Sequence, residues 1–370
     1  MKKIRVAING FGRIGRNTLR ALYNRADLNQ QIEIVAINDI TDNKTLAHLF
    51  KYDSVHGVFK GKVVPTQHGI LLDELEIKTY SIKDPLALPW KELSIDIVIE
   101  STGLFLTREK ASAHIKAGAK KVIISAPAND DDIKSIVLGV NDEILSGDED
   151  IVSNASCTTN CAAPMVKVLE ENFGIVTAHI ITVHSYTGDQ RLHDAPHKDL
   201  RRARAAALSM IPTSTGAAKA ITKIFPHLDG KMGGAGVRVP VPDGSLTDIT
   251  CVIKKETTAQ EINLAFKKAS ETSLKGILEY TEDPIVSIDV VGNSNSCIFD
   301  SDLTSVIGNH VKIVGWYDNE MGYSNRLLEL VFKLYVIKYF SLSSGTSKII
   351  NPKKRKYSLF GVYLFLFKPI

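Results

Sequence analysis

Cysteine is scarce in this chain of 370 residues, which has four, and so few cannot form a disulfide scaffold. The N-terminus also lacks the apolar segment and cleavage site of a signal peptide, because Met1, Lys2 and Lys3 lead directly into an alternating, strand-like pattern. We therefore expect a cytoplasmic protein with reduced thiols. With 44% hydrophobic residues, the chain can bury a large core, and its length favours about two domains.

Acidic residues are missing altogether from the C-terminal segment 338–370, which has seven Lys and Arg. The formal net charge of the whole chain is +4, so residues 1–337 have a net charge of −3. The net positive charge of the protein therefore comes from the tail. Its apolar run, 359–367, is too short for a transmembrane helix. We expect an atypical, poorly ordered tail. A reading-frame accident, contact with a membrane surface and secondary RNA binding remain alternatives.

A glycine-rich turn near the N-terminus lies between a strand-like run, 4–9, and a helical pattern. Residues 32–37 supply the next strand, so the G-x-G-x-x-G spacing stands in a βαβ context and predicts a dinucleotide-binding turn. A plain glycine turn is the alternative. Asp39 follows the second strand, where a carboxylate binds ribose hydroxyls and repels a 2′-phosphate, which favours NAD over NADP. The glycines of the motif are Gly10, Gly12 and Gly15.

Further strand patterns at 95–100 and 121–125, with a helical pattern at 111–119, continue the doubly wound repeat. Ligands bind beyond the carboxyl ends of such strands, so Ser125 is a candidate cofactor contact, although ordinary turn chemistry would also explain it. These repeats predict a Rossmann-type NAD-binding domain over 1–156.

The segment 153–164 (SNASCTTNCAAP) passes from small polar residues into a helical pattern. Ser156 is a candidate N-cap, which places Cys157 in the first turn, where backbone N–H groups and the helix dipole should lower the pKa of its thiol. Cys161 is interpreted as core packing. The cysteine spacing does not match a zinc site, so no metal is expected. Pro164 predicts that the helix bends or restarts.

The rest of the chain supplies a histidine and several anion-binding elements. His184 stands at the end of a strand pattern, where catalytic side chains are often placed. Arginines precede an alanine run that looks helical, and 212–217 opens another helix with hydroxyls and backbone N–H groups. Strand patterns at 245–254, 285–290 and 311–316 predict a second, α+β domain with a mostly antiparallel sheet. The fold class is therefore α/β, with a Rossmann-type domain followed by this α+β domain.

Six segments stand in order along the chain: 9–16 (NGFGRIGR), 153–161 (SNASCTTNC), 184–190 (HSYTGDQ), 199–207 (DLRRARAAA), 214–219 (STGAAK) and 316–323 (WYDNEMGY). Together they closely resemble the NAD-dependent phosphorylating glyceraldehyde-3-phosphate dehydrogenases. The resemblance covers residues 3–337 and implies a homotetramer that acts on glyceraldehyde 3-phosphate and inorganic phosphate. It also implies a catalytic domain over 157–320, with helix 321–337 completing the NAD-binding domain. An erythrose-4-phosphate dehydrogenase of the same fold is the nearest alternative.

The resemblance assigns roles to single residues. It implies that Cys157 is the nucleophile and His184 its base, so that a thiohemiacetal and then a thioester form on the sulfur. Asn319 matches the residue that orients the nicotinamide amide. Lys83 falls where many members have Arg and is a weaker candidate for the cofactor. Further implied NAD contacts are Arg13, Ile14, Asp39 and Ser125. Implied contacts to the substrate phosphate are Thr187 and Arg238, and those to inorganic phosphate or the reacting end of the substrate are Ser156, Thr158, Arg202, Thr215 and Gly216.

Overall fold

The computed structural model describes the backbone of residues 2–343 and the side chains of residues 2–338. In its N-terminal part, strands alternate with helices, as the sequence predicts. The elements there are β1 (Ile4–Asn9), α1 (Arg13–Asn24), α2 (Ala26–Asn29), β2 (Ile32–Asn38), α3 (Asn43–Lys51), β3 (Tyr52–Asp53), β4 (Gly57–Val58), β5 (Val63–Pro65), β6 (Gly69–Leu72), β7 (Leu75–Tyr80), β8 (Ile97–Glu100), α4 (Arg108–Lys116), β9 (Lys121–Ile124) and β10 (Ile151–Ser153).

The first sheet has the strand order β10-β9-β8-β1-β2-β7-β6-β5. It is parallel from β10 to β7, and β6 and β5 add antiparallel strands at one edge. The parallel strands are buried on both faces, which explains their nearly continuous runs of Ile and Val. The predicted Rossmann-type architecture is confirmed.

The second sheet follows the cysteine helix and has the order β12-β13-β11-β14-β17-β16-β15. Four of its strand pairs are antiparallel and two are parallel, so the predicted mostly antiparallel sheet is confirmed. The elements of this part are α5 (Cys157–Phe173), β11 (Ile175–Ser185), β12 (Ile211–Thr213), α6 (Ala217–Ile224), β13 (Met232–Val239), β14 (Ser245–Ile253), α7 (Ala259–Glu271), β15 (Leu278–Thr281), β16 (Cys297–Ile307), β17 (His310–Tyr317) and α8 (Met321–Ser343).

Two local predictions were wrong. The pattern at 285–290 gives a short 3₁₀ helix, Ser287–Val290, because the Asp289 carboxylate accepts the Val286 N–H and turns the chain back on itself. The alanine run after the arginines is a turn and not a helix. There, the Asp194 carboxylate accepts the Ala205 N–H, and the Arg191 carbonyl accepts the Ala206 N–H.

Helices α5 and α8 connect the two halves. Pro164 lies inside α5, which continues as one helix from Cys157 to Phe173, so the predicted restart does not occur. Helix α8 extends to Ser343, beyond the predicted end at 337, and shares a buried core with α1 and the first sheet. No helix among the described residues is both long and apolar enough to cross a bilayer. The tail was predicted to begin at 338, but residues 338–343 continue α8, and the rest of the predicted tail, 344–370, lies outside the described residues.

Candidate active site

The N-terminus of α5 brings the candidate nucleophile to the candidate base. Ser156 caps the helix, since its Oγ accepts the Thr159 N–H at 3.1 Å, and Cys157 is the first helical residue, as predicted. His184 is the penultimate residue of β11. The Cys157 Sγ lies 3.4 Å from the His184 Nε2, within the reach of a hydrogen bond to sulfur. The two groups predicted to react are therefore in contact.

The Ser185 carbonyl, like the Arg238 guanidinium, faces the Nδ1 of His184. Its oxygen lies 2.8 Å from the His184 Nδ1 and accepts a further hydrogen bond from the Arg238 Nη1 at 3.0 Å. The Arg238 Nη1 also lies 2.9 Å from this Nδ1, and a guanidinium can only donate, so the carbonyl favours a protonated Nδ1 and Arg238 an unprotonated one. The tautomer with its proton on Nδ1 is the one that presents the Nε2 lone pair to the Cys157 thiol.

Desolvation favours the uncharged forms of this pair, in which His184 is buried and Cys157 is half-buried. It raises the pKa of the Cys157 thiol to about 11, although the Arg238 charge and the Thr158 N–H favour the thiolate. Burial, followed by the Arg238 charge, lowers the pKa of His184 to about 3. The predicted lowering of the thiol pKa by the helix start is therefore outweighed by desolvation. Desolvation therefore favours a thiol beside a neutral imidazole over an ion pair of the two.

The glycine turn fits a dinucleotide. Gly10 has φ +92°, and a Cβ on Gly15 would lie 2.3 Å from the Gly10 carbonyl oxygen, so both positions require glycine. A Cβ on Gly12 would meet no atom within 4 Å, which leaves open space in front of α1. Gly12 provides no side-chain cap, so the first backbone N–H groups of α1 are available to a pyrophosphate.

Asp39 and Asn319 suit the two ends of such a cofactor. Asp39 directly follows β2, and its carboxylate accepts the Phe11 N–H at 2.8 Å, which ties it to the glycine turn. The Asn319 Oδ1 accepts hydrogen bonds from the hydroxyls of Ser185 and Ser245, while no described residue accepts one from its Nδ2. That amide group can therefore donate to a carbonyl of the cofactor. The residues present fit NAD.

The side chain of Arg13, a predicted cofactor residue, forms ion pairs within the protein. Its guanidinium pairs with Asp53 at 2.6 Å and with Glu320, so only its backbone N–H remains for a cofactor. Glu320, His56 and Asp243 also form one group with metal-ligand spacing among the described residues. Both Glu320 oxygens already accept hydrogen bonds from Arg13, so this carboxylate is engaged.

The other predicted cofactor residues lie around the first sheet. Ile14, in the first turn of α1, packs against the core. Ser125 directly follows β9, at the carboxyl edge of the sheet, and its N–H donates to the Glu100 carbonyl. Lys83 is exposed in the loop after β7, and the described structure gives its side chain no hydrogen bond that would fix it.

The predicted phosphate-binding residues form two groups. Arg238 lies beside the reacting pair, with its Nη1 2.9 Å from the His184 Nδ1. Arg202 lies farther out and pairs with Asp189 at 2.7 Å, and the Thr187 hydroxyl donates to the same carboxylate. Thr215 and Gly216 precede α6. The Thr215 hydroxyl accepts the Ala217 N–H at 3.2 Å, while Gly216, the N-cap, has no side chain to cap the helix, so further N–H groups of its first turn remain for an anion.

Thr158 contacts both the sulfur and the protein interior. Its backbone N–H and its hydroxyl both act on the Cys157 sulfur, and the hydroxyl also lies 3.0 Å from the Tyr317 hydroxyl. Tyr317, Asp189 and Ser185 are site residues that sequence reasoning missed. Tyr317, in β17, is 159 residues from Thr158 in the sequence, and no local sequence pattern predicts a contact at that separation.

Comparisons with known proteins agree with this geometry. The family model described as "Glyceraldehyde 3-phosphate dehydrogenase, NAD binding domain" matches residues 4–108, and "Glyceraldehyde 3-phosphate dehydrogenase, C-terminal domain" matches residues 156–319. Glyceraldehyde-3-phosphate dehydrogenase 2 of Streptomyces avermitilis is 58% identical over 329 residues, which are 88% of this chain and 97% of that protein.

Two further relatives carry the name glyceraldehyde-3-phosphate dehydrogenase. The protein of Mycobacterium avium is 56% identical over 331 residues, covering 89% of this chain and 97% of its own length. That of Streptomyces coelicolor is 57% identical over 330 residues, covering 88% of this chain and 97% of its own. Identity of this extent over both halves, together with the two family models, shows that the chain belongs to the glyceraldehyde-3-phosphate dehydrogenase family.

Proposed function

We propose that the chain oxidises and phosphorylates D-glyceraldehyde 3-phosphate to 1,3-bisphosphoglycerate with NAD and inorganic phosphate, a reaction of glycolysis and gluconeogenesis. The observation that carries this proposal is the 3.4 Å contact between the Cys157 Sγ and the His184 Nε2 at a helix start, with Arg238 beside it. Asp39, at the end of β2, supports NAD over NADP because its carboxylate would repel a 2′-phosphate.

Cys157 attacks the aldehyde carbon, and a carbon–sulfur bond forms while the thiol proton moves to the His184 Nε2. That proton passes to the developing oxyanion to give a thiohemiacetal, with the backbone N–H groups at the start of α5 facing the oxygen. His184 then removes the hydroxyl proton. NAD, when bound, supplies the acceptor for the hydride that leaves the same carbon. The product on Cys157 is a thioester.

Inorganic phosphate then attacks the thioester carbon, the carbon–sulfur bond breaks, and the acyl phosphate leaves. Two anions must be held for this step, the phosphate of the substrate and the attacking phosphate. Arg238 with Thr187 is assigned to the first, and Arg202 with Ser156, Thr215 and the Gly216 backbone is assigned to the second. Guanidinium groups suit both tasks because they bind phosphate oxygens in a fork.

The domain organisation, assembly and compartment are part of the proposal. Residues 1–156 with α8 form the NAD-binding domain and 157–320 the catalytic domain, which is supported by the separation of the buried cluster around the second sheet from the two clusters packed on the first sheet. A homotetramer is supported by large apolar side chains exposed on 191–210, and a cytoplasmic location by four free thiols. The exposed apolar residues are Leu192, Leu200, Leu208 and Met210, each at least 74% exposed.

Replacing the nucleophile tests the reaction. Cys157→Ser should abolish NADH formation from glyceraldehyde 3-phosphate, because a serine hydroxyl is a far weaker nucleophile, while NAD still binds in a fluorescence titration. Cys161→Ala, one helical turn away, is the matched control and should remain active. Activity of the wild-type protein should depend on inorganic phosphate. Retained activity in the Cys157→Ser variant, or phosphate-independent turnover of the wild type, would contradict the proposal.

A further inference from the structure

The Asn319 carboxamide is held by two buried hydroxyls. Its Oδ1 accepts hydrogen bonds from the Ser185 Oγ at 2.8 Å and from the Ser245 Oγ at 2.6 Å. The three residues come from the end of β11, the start of β14 and the loop after β17, and all three are at most 5% exposed. A buried loop residue is thus held in place by two strands of the second sheet.

The direction of these bonds is set by a third one. The Ser245 Oγ accepts the Ser185 N–H at 3.0 Å, so its own proton is free to point at Asn319. If the carboxamide were rotated by half a turn, its NH₂ group would face two hydroxyl oxygens, one of which already accepts a hydrogen bond. Because both hydroxyls donate to Oδ1, the Nδ2 must point away from them.

We propose that Ser185 and Ser245 are positioning residues that keep the Asn319 Nδ2 directed at the carboxamide oxygen of the nicotinamide. This inference rests on the proposed function, since it assumes that NAD binds beside Asn319. An amide oxygen and an amide nitrogen have nearly the same size. Without the two hydroxyls, Asn319 would turn either group toward the cofactor and would lose its preference for a carbonyl partner.

Ser185 also connects the cofactor to the base. Its side-chain hydroxyl holds Asn319, while its backbone carbonyl oxygen lies 2.8 Å from the His184 Nδ1. Removal of the hydroxyl leaves the carbonyl in place. Ser185→Ala should therefore change cofactor recognition without changing the pH dependence of the reaction of Cys157.

The acetylpyridine analogue of NAD distinguishes the two orientations of Asn319. It keeps the ring carbonyl as an acceptor but has a methyl group in place of the amide NH₂. The wild-type protein should bind NAD and the analogue with similar dissociation constants, because Nδ2 donates to the carbonyl of either. In Ser185→Ala/Ser245→Ala, Oδ1 can face the cofactor, and the analogue, which has no N–H to offer it, should bind about tenfold more weakly than NAD.

Both dissociation constants are measured by calorimetry for the wild type, the two single variants, the double variant and Ser296→Ala. Ser296 is a matched control, because it is equally buried and its hydroxyl has no partner among the described residues. Thermal unfolding shows that each variant is folded. An unchanged affinity ratio in a folded double variant overturns the inference, whereas a wild-type protein that binds neither dinucleotide overturns the proposed function instead.

Discussion

Desolvation favours the uncharged forms of the half-buried Cys157 and the buried His184, whereas Arg202 and Asp189 form an ion pair at the edge of the same site. The buried pair depends on hydrogen bonds and on one tautomer. The outer pair depends on opposite charges, and the Asp189 side chain is 42% exposed. Charge must therefore be created in the first region during the reaction, while in the second it is already present and neutralised.

Arg238 connects the two regions. Its Nη1 lies 2.9 Å from the His184 Nδ1, and its charge also acts on Asp189, whose pKa is held below its usual value. A phosphate group bound to Arg238 would offset its positive charge beside the buried pair. The comparison thus predicts that substitutions in the inner region change the chemistry, and that those in the outer region change anion affinity.

His184→Asn should have the largest effect, because it removes the group that takes the thiol proton. We expect the acylation rate, measured as the first turnover of NADH in a stopped-flow instrument, to fall by about 10²–10⁴-fold. His179→Asn is the matched control, since His179 is exposed in the same strand. A fall of less than about threefold for His184→Asn would mean that another group accepts the proton.

Arg238→Gln should have an intermediate effect, and the sign of the pKa changes follows from its charge. The guanidinium lowers the pKa of Cys157 and that of His184, so its removal raises both. The thiolate fraction at neutral pH then falls, and alkylation of Cys157 by iodoacetamide should slow about tenfold, with its pH midpoint displaced upward by about one unit.

Arg202→Gln is the comparison variant for this measurement. Arg202 is already paired with Asp189, so its loss should weaken phosphate binding and leave the alkylation profile of Cys157 nearly unchanged. If the pH midpoint of Cys157 alkylation shifted equally in Arg238→Gln and Arg202→Gln, the two arginines would have the same electrostatic effect on the thiol, and the contrast between the two regions would be wrong.

The parts of the site that could be predicted from sequence are those set by neighbouring residues. The glycine turn and the Ser156 cap depend on a few consecutive positions, and both were predicted from local patterns. The contact between Cys157 and His184 was implied only by the family resemblance. The Thr158–Tyr317 bond depends on how β14 pairs with β17, where Ser245 is opposite Tyr317. Burial reversed the predicted pKa shift of Cys157, because desolvation depends on every element packed around the thiol.

Asp189→Asn should have the smallest effect, and its direction is a gain. The Asp189 carboxylate holds the Arg202 Nη1 at 2.7 Å, so an incoming phosphate must compete with it. An exposed ion pair contributes at most about 1 kcal/mol, so its loss should tighten inorganic phosphate binding by no more than about fivefold, as measured by calorimetry at low salt. An asparagine oxygen can still accept the Thr187 hydroxyl, which preserves the turn.

Asp194→Asn is the control for this measurement, because Asp194 makes a comparable surface pair with Arg204 at 2.8 Å, and no predicted phosphate ligand takes part in it. Phosphate affinity should not change in that variant. If Asp189→Asn instead weakened phosphate binding, the carboxylate would have to orient the Arg202 guanidinium for the anion. The outer region would then be preorganised in the same way as the buried pair, and the contrast between the two regions would be wrong.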